Sequence, residues 1–268
     1  MKADPASLLE PVTEIGRAAG RAILAIYGSD FEVETKADHS PLTAADRASH
    51  QLIVDELQRL TPGLPVWSEE SATVPFARRA AWTDFWLVDP LDGTKDFIKR
   101  NGEFTVNIAL ISNHEPVLGV VHVPVSGNDY YACRGRGAFF CRNGGIPEPI
   151  HVRSTAAEPV RVVGSRSHRG NSLEAFLERV GPHEMIGMGS SLKLCLVASG
   201  EADVYPRLGP TSEWDTAAAQ AVVECAGGRV VNLEGQPIRY NTHAEVLNPY
   251  FLVYGDTTRD WLACATGQ

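Results

Sequence analysis

The sequence predicts a layered fold of mixed α+β and α/β class, with helices and a mainly antiparallel sheet in an N-terminal lobe and a C-terminal α/β lobe. Three patterns predict it: two amphipathic helical segments come first, short extended runs follow, and helices alternate with strands after about residue 159. Consecutive strand runs favour antiparallel pairing, whereas alternating elements favour an α/β arrangement. No long low-complexity linker separates the halves. We therefore expect residues 1–158 and 159–268 to form two lobes of one compact catalytic unit.

The N-terminal lobe is predicted to begin with two helices. Apolar residues recur at helical spacing over roughly residues 5–27, and Gly28 follows as a stop signal. A second helical pattern starts at Thr43, where residues 43–46 have the form of a capping box, and Pro62 ends it. Turns are predicted at residues 113–114 and 127–128. The extended runs are residues 64–68, 85–88, 105–111, 117–123 and 130–133.

The C-terminal lobe is predicted from alternating elements. Strands are expected at residues 160–164, 185–186, 203–205 and 229–231, and helices at residues 172–180, 191–199 and 213–225. This order is typical of a sheet covered by helices.

The charge of the chain limits its partners. Lys and Arg number 24 and Asp and Glu number 33, so the formal net charge is −9. A phosphate backbone repels such a chain, and we expect no nucleic-acid polymer as a partner. A small anion can still be held by a local basic pocket.

Cysteine usage and hydrophobicity predict the compartment. The five cysteines are scattered and contain no C-x-x-C pair, which argues against a disulfide framework and a zinc site. We see no export signal and no apolar stretch long enough to span a membrane. The expectation is a cytoplasmic protein, either monomer or homodimer, with peripheral association at the inner membrane left open.

The most informative segment is residues 86–97, where an apolar run leads into Asp89-Pro90-Leu91-Asp92-Gly93. Pro90 holds Asp89 extended, so the strand is expected to end on a carboxylate. Asp92 follows three positions later, and the two carboxylates with the carbonyl between them can converge on one point. Hard oxygen ligands of this kind suit Mg²⁺. The alternative is an ordinary surface turn, since Asp, Pro and Gly are common turn residues.

Further acids follow other predicted elements, and each has a structural alternative. Glu69 and Glu70 follow an apolar segment, where they could be a solvated strand end. Asp215 and Asp46 are each the fourth residue of a capping box, and for Asp215 alone we favour the helix cap over a site role.

Together these motifs resemble the signature of the inositol monophosphatase superfamily of lithium-sensitive, Mg²⁺-dependent phosphatases. Glu-Glu-Ser is followed by Asp-Pro-Leu-Asp-Gly-Thr and then by Trp-Asp-Thr-Ala-Ala, in that order, from near residue 36 to about residue 228. The sequence is most similar to the 3′(2′),5′-bisphosphate nucleotidase, or CysQ-type, branch. The residues that carry this similarity are 36–46, 93–98, 100–107, 164–168 and 189–193. One departure is Asp96, where the branch usually has Glu.

The resemblance implies the layered sugar-phosphatase fold and a site for two or three Mg²⁺ ions. Glu69, Asp89 and the Leu91 carbonyl are expected to bind one ion, and Asp89, Asp92 and Asp215 the second. A third, weaker ion is expected near Glu69, and Li⁺ is expected to inhibit. Asp46 and Thr94 are expected to orient and deprotonate the attacking water, with Glu70 in support.

The substrate implied is adenosine 3′(2′),5′-bisphosphate, or its sulfated form, in nucleotide recycling linked to sulfur assimilation. The expected phosphate contacts are the backbone N–H groups of Gly93, Thr94 and Lys95 and, for the second phosphate, Ser190, Ser191, Lys193 and Arg207. Ser165, Arg166 and His168 are expected near the nucleoside. Alternatives stay open for some of these residues: Ser190 and Ser191 could only cap the following helix, and His168 could be a solvated loop residue.

Three rival functions follow from the same residues. The nearest keeps the chemistry and changes the substrate to inositol monophosphate or another sugar phosphate, although Lys95-Asp96 differs from the Thr-Asn usual for inositol phosphatases. The second is a regulator that binds metal or nucleotide without catalysis, and the Asp46 and Thr94 pair argues against it. A Rossmann dehydrogenase is weaker, because no complete G-x-G-x-x-G motif is present.

Overall fold

A computed structural model describes residues 4–29, 33–35, 41–71, 74–165 and 171–267. These residues form two large sheets with helices packed on both, and one two-stranded ribbon. The chain begins with two long helices and a short ribbon between them. The Asp4 side chain caps the first helix by accepting a hydrogen bond from Ala6 N, and Gly28 ends it. These elements are α1 (Pro5–Tyr27), β1 (Val33–Thr35), β2 (Pro41–Thr43) and α2 (Ala44–Leu60). Both helices match their predicted limits closely.

The first sheet has seven strands. Its strands, and the two short helices that lie between them in the chain, are β3 (Val66–Ser68), α3 (Phe76–Arg79), β4 (Asp84–Asp92), α4 (Thr94–Ile98), β5 (Thr105–Ser112), β6 (Glu115–Val123), β7 (Asn128–Cys133), β8 (Gly137–Cys141) and β9 (Glu148–Ile150). Neighbouring strands follow one another in sequence order. All pairs are antiparallel except β3 with β4. The prediction of a mainly antiparallel sheet is therefore confirmed.

The second sheet has five strands in the order β11-β10-β12-β14-β13. Its elements are β10 (Val160–Gly164), α5 (Asn171–Val180), β11 (His183–Gly187), α6 (Leu192–Ala198), β12 (Val204–Arg207), α7 (Glu213–Cys225), β13 (Arg229–Asn232), β14 (Phe251–Tyr254) and α8 (Trp261–Thr266). The strands β11, β10 and β12 are parallel, and β14 is antiparallel to both of its neighbours. The alternating α/β pattern is confirmed, while β14 and α8 were not predicted.

Helix α7 packs against the seven-stranded sheet and also contacts elements of the C-terminal part of the chain. It contacts β4, β5, β6 and β7, and it also contacts α6 and β13. The approach is closest at Gly119 of β6, where an added Cβ atom would lie 2.1 Å from the Ala218 carbonyl oxygen. One apolar core therefore includes residues of both sheets. The chain division at residues 158 and 159 stays a prediction.

The opposite face of the seven-stranded sheet is covered by α1 and α2. Their buried side chains, including Val12, Ile23, Ile53 and Leu57, form a second apolar cluster with the sheet. In the part of the chain that the structure describes, no helix is both long enough and apolar enough to cross a membrane.

Candidate metal and phosphate site

A cavity of about 360 Å³ brings the three acidic motifs together. Most of the residues that the sequence singled out line it. They are Glu69, Asp89, Leu91, Asp92, Gly93, Thr94, Lys95, Ser190, Ser191, Lys193, Arg207 and Asp215. Asp46, Glu70 and Ser165 are described by the structure but do not line the cavity. Arg166 and His168 lie outside the described residues, as do residues 36–40 of the similarity motif.

The end of β4 places Asp89 and Asp92 on the same side of the sheet. The strand does not end at Asp89, as we predicted from Asp89-Pro90, but continues to Asp92. Asp89 pairs with Asn107, and Asp92 pairs with Thr105. Between these two pairs β4 contains one residue more than β5, which is a β-bulge. In a regular strand, residues three apart point to opposite faces. The bulge adds the one residue that lets both carboxylates face the cavity.

Asp215 reaches the same point from the start of α7. One oxygen from each of Asp89, Asp92 and Asp215 lies within 4.8 Å of the others, and we call these residues the carboxylate cluster. Asp215 Oδ2 also accepts a hydrogen bond of 2.9 Å from Ser212 N, so the predicted capping box is present. The two interpretations of Asp215 are therefore compatible, because a carboxylate has two oxygens.

Burial makes this cluster electrostatically unfavourable without a cation. It raises the pKa of Asp92 to about 6 and of Asp215 to about 8, and it raises the pKa of Asp89 well above its usual value. The neighbouring Glu69 charge raises the pKa of each of the three further. Asp89 is buried, and Asp92 and Asp215 are half-buried. Three such carboxylates whose charges repel one another fit a divalent cation that prefers oxygen ligands, such as Mg²⁺.

Asp46 and Thr94 meet at the rim of the cluster. Thr94 Oγ1 lies 3.3 Å from Asp46 Oδ1 and 3.4 Å from the Leu91 carbonyl oxygen. The second Asp46 oxygen accepts hydrogen bonds from Thr43 N at 2.8 Å and Thr43 Oγ1 at 2.6 Å, which completes the capping box of α2. Asp46 thus caps a helix with one oxygen and contacts Thr94 with the other.

Glu70 lies further out, next to α2. Burial lowers the pKa of His50, a residue of α2, and the negative charge of Glu70 partly offsets this effect. His50 Nδ1 lies 2.9 Å from Ser68 Oγ.

The other end of the cavity is cationic. Lys193 and Arg207 line it, and burial lowers the pKa of the Lys193 ammonium to about 8. Lys193 Nζ donates a hydrogen bond to the Ser190 carbonyl oxygen at 2.5 Å. A cation pair beside a carboxylate cluster provides one place for a metal and one for an anion.

One alternative for the serine pair was that it only caps the following helix. Ser191 precedes α6, but its side chain makes no capping hydrogen bond to that helix. It contacts Asn107 and Thr105 on β5 instead, and its backbone N–H donates to Asp92 Oδ2 at 2.6 Å. Ser190 has a φ of 43°, in the left-handed region that few residues other than glycine adopt.

Sequence reasoning missed several residues of the site. Tyr205, Thr211 and Phe251 line the cavity, but as isolated residues of predicted strands or loops they carried no chemical signal. Asn107 was quoted only as part of a motif. A polar residue in the middle of the apolar run 105–111 could have marked it, because a buried amide is costly without partners.

Known proteins resemble the chain over nearly its full length. A family model described as the inositol monophosphatase family matches residues 4–264. The 3′(2′),5′-bisphosphate nucleotidase CysQ of Escherichia coli K12 is 48% identical over 248 residues, covering 92% of this chain and 99% of that protein.

Solved structures agree with this match. The crystal structure of CysQ from Bacteroides thetaiotaomicron, a bacterial member of the inositol monophosphatase family, has a TM-score of 0.81 and 42% identity, covering 93% of this chain and 97% of that one. The Thermotoga maritima IMPase has a TM-score of 0.77 and 27% identity, covering 95% of each chain. With its acidic motifs gathered in one cavity and a family match over residues 4–264, the chain belongs to the inositol monophosphatase family.

Proposed function

We propose that the chain is a Mg²⁺-dependent phosphomonoesterase that hydrolyses adenosine 3′(2′),5′-bisphosphate to AMP and phosphate. The observation that carries the proposal is the cavity itself, in which the carboxylate cluster adjoins Lys193 and Arg207. A substrate with two phosphates needs a metal-bound phosphate and a separate anion site, and this cavity offers both. The names of the CysQ relatives support the same substrate.

The metal ligands in this proposal are the carboxylates of the cavity. Glu69, Asp89 and the Leu91 carbonyl would hold one Mg²⁺, and Asp89, Asp92 and Asp215 would hold a second. A third, weaker ion would be held near Glu69. Bound Mg²⁺ lowers the pKa of a water and offsets the charge of the phosphoryl oxygens.

Thr94 and Asp46 handle the proton of the attacking water. The Thr94 hydroxyl donates to Asp46 Oδ1, so its lone pair is free to accept a hydrogen bond from a water. Asp46 then takes the proton that passes through Thr94. Glu70 supports this pair from the outer side. The attack is direct and in line, without a covalent phosphoenzyme.

The remaining residues bind the phosphates and the nucleoside. Lys193 and Arg207, with Ser190, bind the phosphate that is not cleaved. Ser191, the fourth residue expected there, instead donates its hydroxyl to Asn107 and its backbone N–H to Asp92. The N–H groups of Gly93, Thr94 and Lys95, at the start of α4, face the scissile phosphate. The family resemblance assigns the nucleoside to Ser165, Arg166 and His168, of which Arg166 and His168 lie outside the described residues.

A phosphate-release assay tests the proposal. Adenosine 3′,5′-bisphosphate, its sulfated form, inositol 1-phosphate and fructose 1,6-bisphosphate are compared with Mg²⁺ and with a chelator. We expect the highest kcat/KM for an adenosine bisphosphate and no release with chelator. A higher kcat/KM for inositol 1-phosphate would replace the proposal with its nearest rival. We also expect inhibition by Li⁺ at fixed Mg²⁺, and complete insensitivity would count against the two-metal assignment.

A further inference from the structure

A buried network of polar side chains joins β5 to the loop of residues 189–191. Thr105, Asn107 and Ser191 are each no more than 2% exposed. Ser191 Oγ donates to Asn107 Oδ1 at 2.8 Å, and Thr105 Oγ1 lies 2.9 Å from Ser191 Oγ and 3.2 Å from Asn107 Oδ1. The hydroxyls of Ser191 and Thr105 both contact the amide oxygen of Asn107, so the amide nitrogen of Asn107 points away from these two hydroxyls.

The amide nitrogen of Asn107 points at Asp92. Asn107 Nδ2 donates to Asp92 Oδ2 at 3.4 Å, and Ser191 N donates to the same oxygen at 2.6 Å. Among the described residues, the hydrogen bonds of the Asp92 side chain all go to Oδ2. Oδ1 is thereby left to ligate a cation, and the rotation of the carboxylate is determined by two donors on different elements.

Asn107 does not line the cavity, but its side chain is linked by hydrogen bonds to residues at both ends of the cavity. Its backbone is the register partner of Asp89, and its side chain bonds Asp92 on the far side of the bulge. Through Ser191 it also reaches the loop whose Ser190 carbonyl accepts from Lys193. A leucine of similar size would fill the same volume without any of these bonds, so packing alone does not call for an amide.

We propose that Asn107 is a positioning residue that holds the metal ligand Asp92 and the 189–191 loop in one arrangement, so that the cation site and the anion site form together. The identity of the two sites rests on the proposed function. The role of Asn107 does not require turnover, because it acts on the ligand set before any substrate is cleaved.

The experiment is calorimetric titration of the metal-free protein with Mg²⁺, for the wild type, Asn107→Leu and the control Gln220→Met. Gln220 is an equally buried amide on α7, and its side chain bonds Glu224, Ile238 and Tyr240, none of which lines the cavity. We expect Mg²⁺ affinity to fall about tenfold in Asn107→Leu, because the variant loses one hydrogen bond to a charged group. In Gln220→Met the affinity should stay within about twofold of the wild type. At saturating Mg²⁺, kcat of Asn107→Leu should recover to within about threefold of wild type, since the residue touches neither water nor substrate.

Three results would overturn the proposal: unchanged Mg²⁺ affinity in Asn107→Leu, an equal loss in both variants, or no Mg²⁺ binding by the wild type. If Asn107→Leu does not fold, Asn107→Ser replaces it, because serine keeps a hydroxyl near Thr105 and Ser191 but does not reach Asp92. The same tenfold loss is expected there, and unchanged affinity again counts against the role. If the wild type binds Mg²⁺ but releases no phosphate from adenosine 3′,5′-bisphosphate, the proposed function fails while the calorimetry still decides the role of Asn107.

Discussion

Single carboxylates in this site make two kinds of contact at once. Asp46 caps α2 through Oδ2 and meets Thr94 through Oδ1, and Asp215 caps α7 while it joins the carboxylate cluster. From sequence these roles were alternatives, because a capping box explains an acid at that position without any chemistry. The cap also fixes the side-chain rotamer, so each acid is held in place before a cation binds.

At Asp89 we predict that replacement by asparagine abolishes turnover. Asp89 is the residue proposed to bridge both ions, so Asp89→Asn should lower kcat about a thousandfold or more in the phosphate-release assay. Burial raises the pKa of Asp89, so the neutral amide should leave the metal-free protein at least as stable as the wild type near neutral pH. Asp203→Asn, at another buried aspartate that pairs with arginines away from the cavity, serves as the control and should retain activity. Near-normal turnover in Asp89→Asn would exclude the bridging role.

At Lys193 we predict an effect that depends on the substrate. Lys193→Ala removes the buried ammonium at the cationic end of the cavity. The KM for adenosine 3′,5′-bisphosphate should rise about ten- to a hundredfold, the value of one charge-assisted hydrogen bond, while the KM for inositol 1-phosphate changes by less than about threefold. Lys99→Ala, at an exposed lysine, is the control. Equal changes for both substrates would remove Lys193 from the second anion site.

Among the elements, those with strong periodicity or clear end signals were predicted well. The limits of α1, β10 and α7 agree with the structure, because amphipathic spacing, turns and capping residues are local properties. The bulge in β4 was not predicted, since an extra residue in a strand is defined only against its partner β5. The convergence of the acidic motifs followed from the family resemblance, whereas their spacing alone left a surface turn equally open.

Elements near the C-terminus were missed for a different reason. The strand β14 has four residues and α8 has six. Neither segment is long enough for its hydrophobic periodicity to show whether it is a helix or a strand. Yet β14 contributes Phe251 to the cavity and pairs with both β12 and β13. Its place depends on long-range pairing, which no local pattern encodes.

The packing of α7 on β6 leads to a prediction at Gly119. An added Cβ there would lie 2.1 Å from the Ala218 carbonyl oxygen and 2.8 Å from Ala221 Cβ, and a helix backbone cannot move aside as a side chain can. Gly119→Ala should lower the free energy of unfolding by about 3 kcal/mol, measured by urea denaturation. The control Gly28→Ala, where the nearest atom is 3.8 Å away and φ is −78°, should change it little. A loss below about 0.5 kcal/mol in Gly119→Ala would contradict this packing.

For the whole molecule, part of the net charge of −9 lies in one cavity, so the stability of the fold should depend on pH and Mg²⁺ together. The folded-state pKa values of Asp92 (about 6) and Asp215 (about 8) lie above the ordinary value of 3.8, so the metal-free folded state binds more protons than the unfolded state between these limits. Stability is then greatest at low pH within this window and is lost as pH rises towards 8. We predict that the Tm in chelator falls between about pH 5.5 and 8, and that Mg²⁺ raises the Tm more at pH 8 than at pH 5.5. Asp89→Asn, with one acid fewer in the cluster, should show a smaller pH dependence, and a metal-free Tm that rises over this range would contradict the burial of repelling carboxylates at this site.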